Sequence, residues 1–275
     1  MADALAPCPA TIRATWVGES AAAALDRSCG RFTRLDAAGG GNWVQAAETL
    51  LWMGEYGPLH PRAVLVECGS LGRIDLSGAR LWRAPKAASP PHGCAHDVIA
   101  ECLGALGDHL AKRAPDRGFA PLLAGRTPAF PLAARMQSAR DAMHAARNNA
   151  PAIFLPHALR LIGVGSGLTP SGDDLLGGAL FAIHSRYPGC AAWSACATSI
   201  CAAAAGRTHP VSLALLADHA RGKSFAAMHE LLNRAAAAES QERLVESANE
   251  VATIGNTSGW DMLTGLILAS ALPQT

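Results

Sequence analysis

The sequence predicts an α+β protein, with a small β-rich N-terminal domain over residues 1–90 and a larger α-helical domain over residues 91–275. Three observations carry this. Short extended segments separated by glycine-bearing turns fill the first third of the chain. A Pro- and Ser-containing stretch, KAASPPHG at 86–93, reads as a linker, and beyond it apolar residues recur at helical spacing almost to the end. A chain of 275 residues can bury a full core, in one large domain or two smaller ones.

In the first domain, residues 11–17, 31–35, 63–68 and 73–81 read as extended segments. Residues 43–53, WVQAAETLLWM, break the pattern, because their apolar positions fall at helical spacing and predict a helix. The loop before it, Gly39-Gly40-Gly41-Asn42, invites comparison with a phosphate cradle. It has neither G-x-x-x-x-G-K-[ST] nor G-x-G-x-x-G, and it reads as an ordinary turn. In the second domain, periodicity and end signals place helices at 96–113, 131–148, 171–186, 191–205, 211–221, 224–238, 241–253 and 258–271.

Inside this helical region lies an internal repeat. The segment LIGVGSGLTPSGDDLLGGAL, residues 161–180, returns in shorter form as GNTSGWDMLTG at 255–265. With one inserted proline, Gly167, Thr169, Ser171, Gly172, Asp174, Leu176 and Gly178 answer to Gly255, Thr257, Ser258, Gly259, Asp261, Leu263 and Gly265. Hydroxyls and an aspartate before an apolar run are what a helix N-terminus requires, since its first amides lack intrahelical partners and its dipole is positive there. Ser171 with Asp174 and Ser258 with Asp261 have the S-x-x-D spacing of a capping box, with Asp in place of Glu. On that reading Asp174 and Asp261 cap and orient, and Asp173 is the freer carboxylate.

Glycine inside a helix costs about 1 kcal/mol against alanine, and Gly177-Gly178 incurs it twice, so something approaches closely there. Two readings stand side by side. In one, Gly178 and Gly265 let two helix backbones touch. In the other, the amides after Gly165, Gly167, Gly172 and Gly259 hold an anion or a carbonyl oxygen. Crossed helices aiming their N-termini at one ligand would satisfy both.

Charge and composition narrow the partners. A net charge of +1 and a pI near 7.7 supply no field for nucleic acid or a membrane surface. Lysine occurs only at 86, 112 and 223, and alanine is abundant, a coding bias that makes arginine number weak evidence. The N-terminal MADALAPCPATIRATW has neither the basic leader nor the apolar core of a signal peptide. Cysteines at 8, 29, 68, 94, 102, 190, 196 and 201 show no C-x-x-C, which fits free thiols in a reducing cytoplasm. The uncharged run 187–206 opens on Pro-Gly and is mostly Ala, Ser, Thr and Cys, so it reads as a tightly packed helix and not a membrane span.

Other constellations also have plainer roles. His92-x-Cys94-x-His96 offers metal-ligand atoms but not a tetrahedral set without partners elsewhere. His184 and His209 read as packing or surface residues. Arg207-Thr208-His209-Pro210 could clamp a carboxylate or phosphate, or simply start a helix with proline just inside it. No G-x-S-x-G elbow and no kinase signature occurs. Asp173, Asp174 and Asp261 form the one acidic cluster with positional logic, suited to proton handling or to Mg²⁺.

The stretch G-V-G-S-G-L-T-P-S-G-D-D-L-L-G-G resembles the third-subunit (AllH-type) proteins of oxamate carbamoyltransferase, as does the later G-x-x-S-G-x-D-x-L-x-G. The matching positions are Gly163, Gly165, residues 167–174 and Gly178, then Gly255, Ser258, Gly259, Asp261, Leu263 and Gly265, with residues 208–215 similar to the segment between the motifs. The resemblance is strong over about 151–272 and loose before it. It implies a subunit of an enzyme interconverting oxalurate and phosphate with oxamate and carbamoyl phosphate in allantoin use. The S-T-R-T loop of other carbamoyltransferases is absent, so a carbamoyl phosphate site would be built from the paired helix ends.

The expected site therefore has Asp173, Asp174 and Asp261 as catalytic carboxylates, and Gly165, Gly167, Thr169, Ser171, Gly172, Arg207, Thr208, Asn256, Thr257, Ser258 and Gly259 as binding residues. The ligand is a small anion such as phosphate, carbamoyl phosphate or oxamate, without a cofactor, and the partners are other subunits of a complex. The alternatives are a Mg²⁺-dependent hydrolase with the three aspartates as ligands, and an assembly subunit without catalysis.

Overall fold

The computed structural model describes residues 11–38, 41–67, 73–85 and 95–270. The expected linker at 86–93, the first ten residues, Gly39, Gly40, Cys68, His92 and Cys94 lie outside the described residues, as does the side chain of His96. The chain divides into two compact units, Met1–Ala84 and Pro85–Thr275, the first carrying the sheet and the second the helices of an α+β protein.

The first unit runs β1 (Thr11–Gly18), α1 (Glu19–Arg27), β2 (Thr33–Ala38), β3 (Gly41–Ala46), β4 (Thr49–Gly54), β5 (Ala63–Val66), β6 (Arg73–Asp75) and β7 (Arg80–Trp82). Its mixed sheet has the order β2-β3-β4-β5-β1-β6, with β7 pairing the second half of β1. Ile12, Ala14 and Val17 of β1, Val44 and Ala46 of β3, Leu51 and Met53 of β4, and Ala21, Ala24 and Leu25 of α1 share one core.

The helix expected at 43–53 is instead the β3–β4 hairpin. Val44, Ala46, Leu51 and Met53 are buried, a period of two in each strand, and Trp43 pairs with Trp52 and Val44 with Leu51. The connection is Ala47-Glu48, with Ala47 at φ 50°, so no Asn-Gly or Gly signalled the turn. Two short runs of period two, joined by so small a loop, mimic helical spacing. Helix α1 was not anticipated; its alanine run, with Glu19 in the first turn and Arg27 in the last, is a sufficient signal in hindsight.

The second unit contains α2 (Ala95–Ala111), 3₁₀ turns at Ala120–Ala124 and Leu132–Arg135, α3 (Met136–Arg147), α4 (Pro151–Ala158), α5 (Ser171–Arg186), α6 (Ala191–Ala204), α7 (Pro210–Ala220), α8 (Ala226–Ala236), α9 (Gln241–Ala252) and α10 (Ser258–Ser270). The expected helices fall within a few residues of these, and α4 is additional. Helix α6 occupies the uncharged run and turns Trp193, Cys196, Ile200 and Ala204 inward. Among the described residues no helix is long and apolar enough to cross a membrane.

The middle of this unit is the pair α5 and α10. Every residue of α5 from Ser171 to Ile183 is buried, and so are Met262 to Ile267 of α10. Their glycines explain how such helices pack. A Cβ on Gly178 would stand 2.0 Å from the Met262 carbonyl oxygen, and one on Gly265 would stand 2.0 Å from that of Leu175. Leu175 and Met262 hold the same place in the two motif copies, so the contact is reciprocal about a local two-fold axis. The backbones touch, as the packing reading of these glycines required.

Gly178→Ala and Gly265→Ala each force the helices apart, and overpacking at about 1–3 kcal/mol outweighs the gain of up to about 1 kcal/mol in helix propensity. Both should lower stability in denaturant unfolding. Because one separation of the helices relieves both contacts, the double variant should lose less than the sum of the singles.

Candidate functional site

Each motif copy is a helix end, a turn and a helix start. In the first, Val164 N donates to Leu161 O at 3.1 Å and Gly172 N to Val164 O at 2.8 Å. In the second, Ile254 N donates to Val251 O at 3.0 Å and Gly259 N to Ile254 O at 2.9 Å. A Cβ on Gly172 would lie 2.0 Å from Leu161 O, and one on Gly259 2.0 Å from Val251 O. These glycines let each new helix start against the backbone that precedes it. The bonding pairs Val164 with Ile254, so Gly165, rather than Gly167, corresponds to Gly255, and the first loop is the longer.

That bonding also corrects an expectation. The Gly172 and Gly259 amides are taken by backbone carbonyls, and the amide after Gly172, that of Asp173, donates to Pro170 O at 2.9 Å. Among the described residues, the amides of 165–169 make no backbone hydrogen bond, and Gly165, Ser166 and Gly167 are exposed.

The two starts meet. Thr169 Oγ1 and Ser258 Oγ are 2.9 Å apart, and Ser171 Oγ and Thr257 Oγ1 are 3.5 Å apart. The first turns of α5 and α10 therefore face each other, as the repeat suggested. No capping box forms at the first of them: the N-cap of α5 is Pro170, without a side-chain cap bond, and Ser171 is already helical. The aspartates cross over instead. Hydroxyls of Ser258 and Thr169 serve Asp174, and those of Ser171 and Thr257 serve Asp261.

Asp174 is 7% exposed and Asp261 0%. Burial raises the Asp174 carboxyl well above the usual carboxylate range, the nearby Asp261 charge raises it further, and the Ser258 and Thr169 hydroxyls offset part of this. Burial also pushes Asp261 up to about 7, against the lowering effect of the Phe119 amide and the hydroxyls of Ser171 and Thr257. Phe119 N donates to Asp261 Oδ1, while Oδ2 of each aspartate has no hydrogen-bond partner. A carboxyl that holds its proton near neutrality is a hydrogen-bond donor and a proton source.

Asp173 is not the free carboxylate. It is 2% exposed. Its Oδ1 accepts from Gly163 N at 2.8 Å, and its Oδ2 accepts from Ser212 Oγ at 2.8 Å and from Thr208 Oγ1. It ties the loop before α5 to the start of α7. Arg207 belongs to the same joint: its guanidinium donates to Leu159 O at 2.8 Å, and its carbonyl oxygen would be 2.3 Å from a Cβ on Gly163. Arg207 and Thr208 are thus occupied, and the three aspartates do not converge on one metal-ligand set. Among the described residues no group of three or more His, Cys, Asp or Glu is placed to hold a metal ion.

Sequence reasoning missed one contributor. Residues 117–119, far from either motif, lie on the start of α10: Arg117 Nη1 donates to Asn256 Oδ1 at 2.9 Å, and a Cβ on Gly118, at φ 59°, would be 2.3 Å from Asp261 Oδ1. No local pattern marks such a contact. His209, by contrast, proves to be a cap, accepting from Val211 N at 3.2 Å.

Two variants separate these roles. Asp173→Ala strands three donors and should cost about 1–3 kcal/mol for each one left unsatisfied, read by denaturant unfolding. For Asp261 the folded state binds its proton more tightly than the unfolded chain, so stability falls as pH rises from the ordinary value of 3.8 to about 7. Asp261→Asn should flatten that fall, on the order of 1 kcal/mol per pH unit, in unfolding curves taken from acid to neutral pH.

No curated protein and no solved structure matches this chain. The family described as oxamate carbamoyltransferase subunit AllH matches residues 161–270. This is the segment from the turn after α4 through α10, with both motif copies inside it, and over these residues the chain is similar to that family.

Proposed function

We propose that the chain is a subunit of an oxamate carbamoyltransferase and that the paired starts of α5 and α10 form the site for its small anionic substrate. The observation that carries this is the crossed set of hydroxyls, Thr169 with Ser258 and Ser171 with Thr257, over two buried carboxyls at two helix N-termini. Both helix dipoles are positive there. The amides of 165–169, including those of Gly165 and Gly167, and the side chains of Asn256, Thr257 and Ser258 supply further donors around it. The family match supports the subunit role and, with it, other subunits as partners.

In the phosphorolytic direction, a phosphate oxygen attacks the carbamoyl carbon of oxalurate. The bond from that carbon to the oxamate nitrogen breaks, and the nitrogen leaves with a proton. Donors at the helix starts stabilise the tetrahedral oxyanion, where one such donor is worth about 2.7–4 kcal/mol. Asp174 and Asp261 are the acids that hold a proton near neutrality and can supply it to the leaving nitrogen. Asp173, with Thr208 and Arg207, positions the loop. No cofactor enters this scheme, and the setting that fits it is the cytoplasm.

The test titrates the purified chain, alone and with the other subunits, with phosphate, carbamoyl phosphate and oxamate, following thermal unfolding and turnover. Thr169→Val and Ser258→Ala should abolish the ligand-induced rise in Tm, in addition to lowering the unliganded Tm through the hydroxyl bonds lost at Asp174. Asp174→Asn should lower turnover by about 10²- to 10⁴-fold, the range for a general acid. A wild-type Tm that none of the three ligands moves, in either setting, overturns the site. Full turnover in Asp174→Asn and Asp261→Asn together would assign the chain to assembly alone.

A further inference from the structure

We propose that the turn joining α7 to α8, residues 221–225, is an acid-opened latch, held shut by the unprotonated Nε2 of His229. On its α7 side the turn is closed by backbone alone. Lys223 N donates to Asp218 O and Gly222 N to His219 O, each at 2.9 Å, with Gly222 in the left-handed region at φ 72°. On its α8 side the fastening is a side chain: the amide of buried Ser224 donates to His229 Nε2 at 3.1 Å.

An amide can only donate, so this nitrogen must present its lone pair, and His229 is the neutral ring with its proton on Nδ1. A second proton would meet the Ser224 amide proton head-on and break the bond. It would also put a cation in the first turn of α8, at the positive end of that helix dipole. Nothing in the surroundings suits such a charge. His229 is 5% exposed, and its ring stands edge-on to Phe181 with centroids 4.9 Å apart. The small cavity beside it is walled by Ile99 of α2, Phe181 and His184 of α5, Gly222 and Asn233, and its titratable groups are His184 and His229 themselves.

The charged groups of the neighbouring elements are engaged or turned outward. Glu230 is exposed and bonds Arg234 at 2.8 Å, and Asp97 and Glu101 of α2 are exposed. Asp218 lies at the base of the turn, 3.8 Å from the Arg221 guanidinium. His219, on the far side of Phe181, donates from Nδ1 to Leu215 O at 2.7 Å, and its ring lies on Gly177, where a Cβ would be 3.4 Å from Nδ1. Burial holds the His219 pKa below the ordinary value, against the Leu215 carbonyl and the Asp218 charge, so this ring stays neutral. The closed turn therefore binds a proton on His229 less tightly than the open turn does. Closure is complete above the ordinary histidine value of about 6.5 and is lost as pH falls below it. The helix that slackens is α7, whose Ser212 holds Asp173, and the latch does not depend on what the starts of α5 and α10 bind.

The experiment is amide hydrogen exchange at Ser224, corrected for the intrinsic rate, from about pH 7.5 to about pH 5, with the His229 imidazole followed by NMR. Ser224 protection in the wild-type chain should fall by up to about tenfold per pH unit below about 6.5, for one proton taken up per opening. His229→Gln keeps an acceptor that does not titrate and should hold protection level. His144→Gln, at an exposed histidine on α3, should behave as wild type. Wild-type protection that does not change with pH, or falls equally in His229→Gln, overturns the latch. Where the glutamine variant does not fold, the wild-type spectra decide: protonation of His229 Nε2 while Ser224 stays protected overturns it, and loss of both together supports it.

Discussion

The contact of Gly178 with the Met262 carbonyl, and of Gly265 with that of Leu175, is the constraint on which the helical unit depends. Helices that touch along their backbones cannot slide or rotate freely, because a shift by one residue brings a side chain where only hydrogen fits. The axis between α5 and α10 therefore fixes the distance between their first turns. Thr169 meets Ser258 and Ser171 nears Thr257 as a consequence, and the hydroxyls belong to one site because the glycines further along hold the helices together.

The same closeness sets the electrostatics. Two aspartates in the first turns of crossed and buried helices are far from bulk water, where ionising both would place like charges in a low dielectric. The helix dipoles and four hydroxyls offset part of that cost but leave both carboxyls raised. The third aspartate turns elsewhere: its side chain is held by the Gly163 amide before α5 and by the hydroxyls of Thr208 and Ser212 at the start of α7. Adjacent residues on one helix turn thus come to have different surroundings: Asp173 joins elements, and Asp174 lies buried near Asp261 with its carboxyl raised.

Much of this was legible before any coordinates. The repeated S-G-x-D-x-L-x-G pattern located α5 and α10 and their facing ends, since helix starts and close packing leave local signatures in hydroxyls, aspartates and glycines. The hairpin at 41–54 was misread because its turn is Ala-Glu, and burial alternating over two short strands resembled helical spacing. The bonds of the aspartates were not legible for a different reason. A capping box is a local inference, whereas Asp174 and Asp261 each draw one hydroxyl from the opposite helix start, Asp261 also an amide from Phe119, and Asp173 its hydroxyls from residues 208 and 212. Sequence spacing reports what a residue can do within its own helix and is silent about contacts that close over a hundred residues.

The two copies are alike but not equal, and the inequality has chemical consequences. Asp261 receives a backbone amide from Phe119, a donor that favours its ionised form, whereas the groups acting on Asp174 are hydroxyls and the charges of its fellow aspartates. Hydroxyls can serve either protonation state, because they accept as well as donate; an amide serves only the acceptor. Asp174 is therefore raised with no amide opposing the rise, and Asp261, pushed up to about 7 by burial, is the member held down by one. The two aspartates are distinguished by one amide, presented by a loop that lies outside the family-matched segment. A two-fold repeat supplies the paired helix starts, and the loop at 117–119 breaks their symmetry.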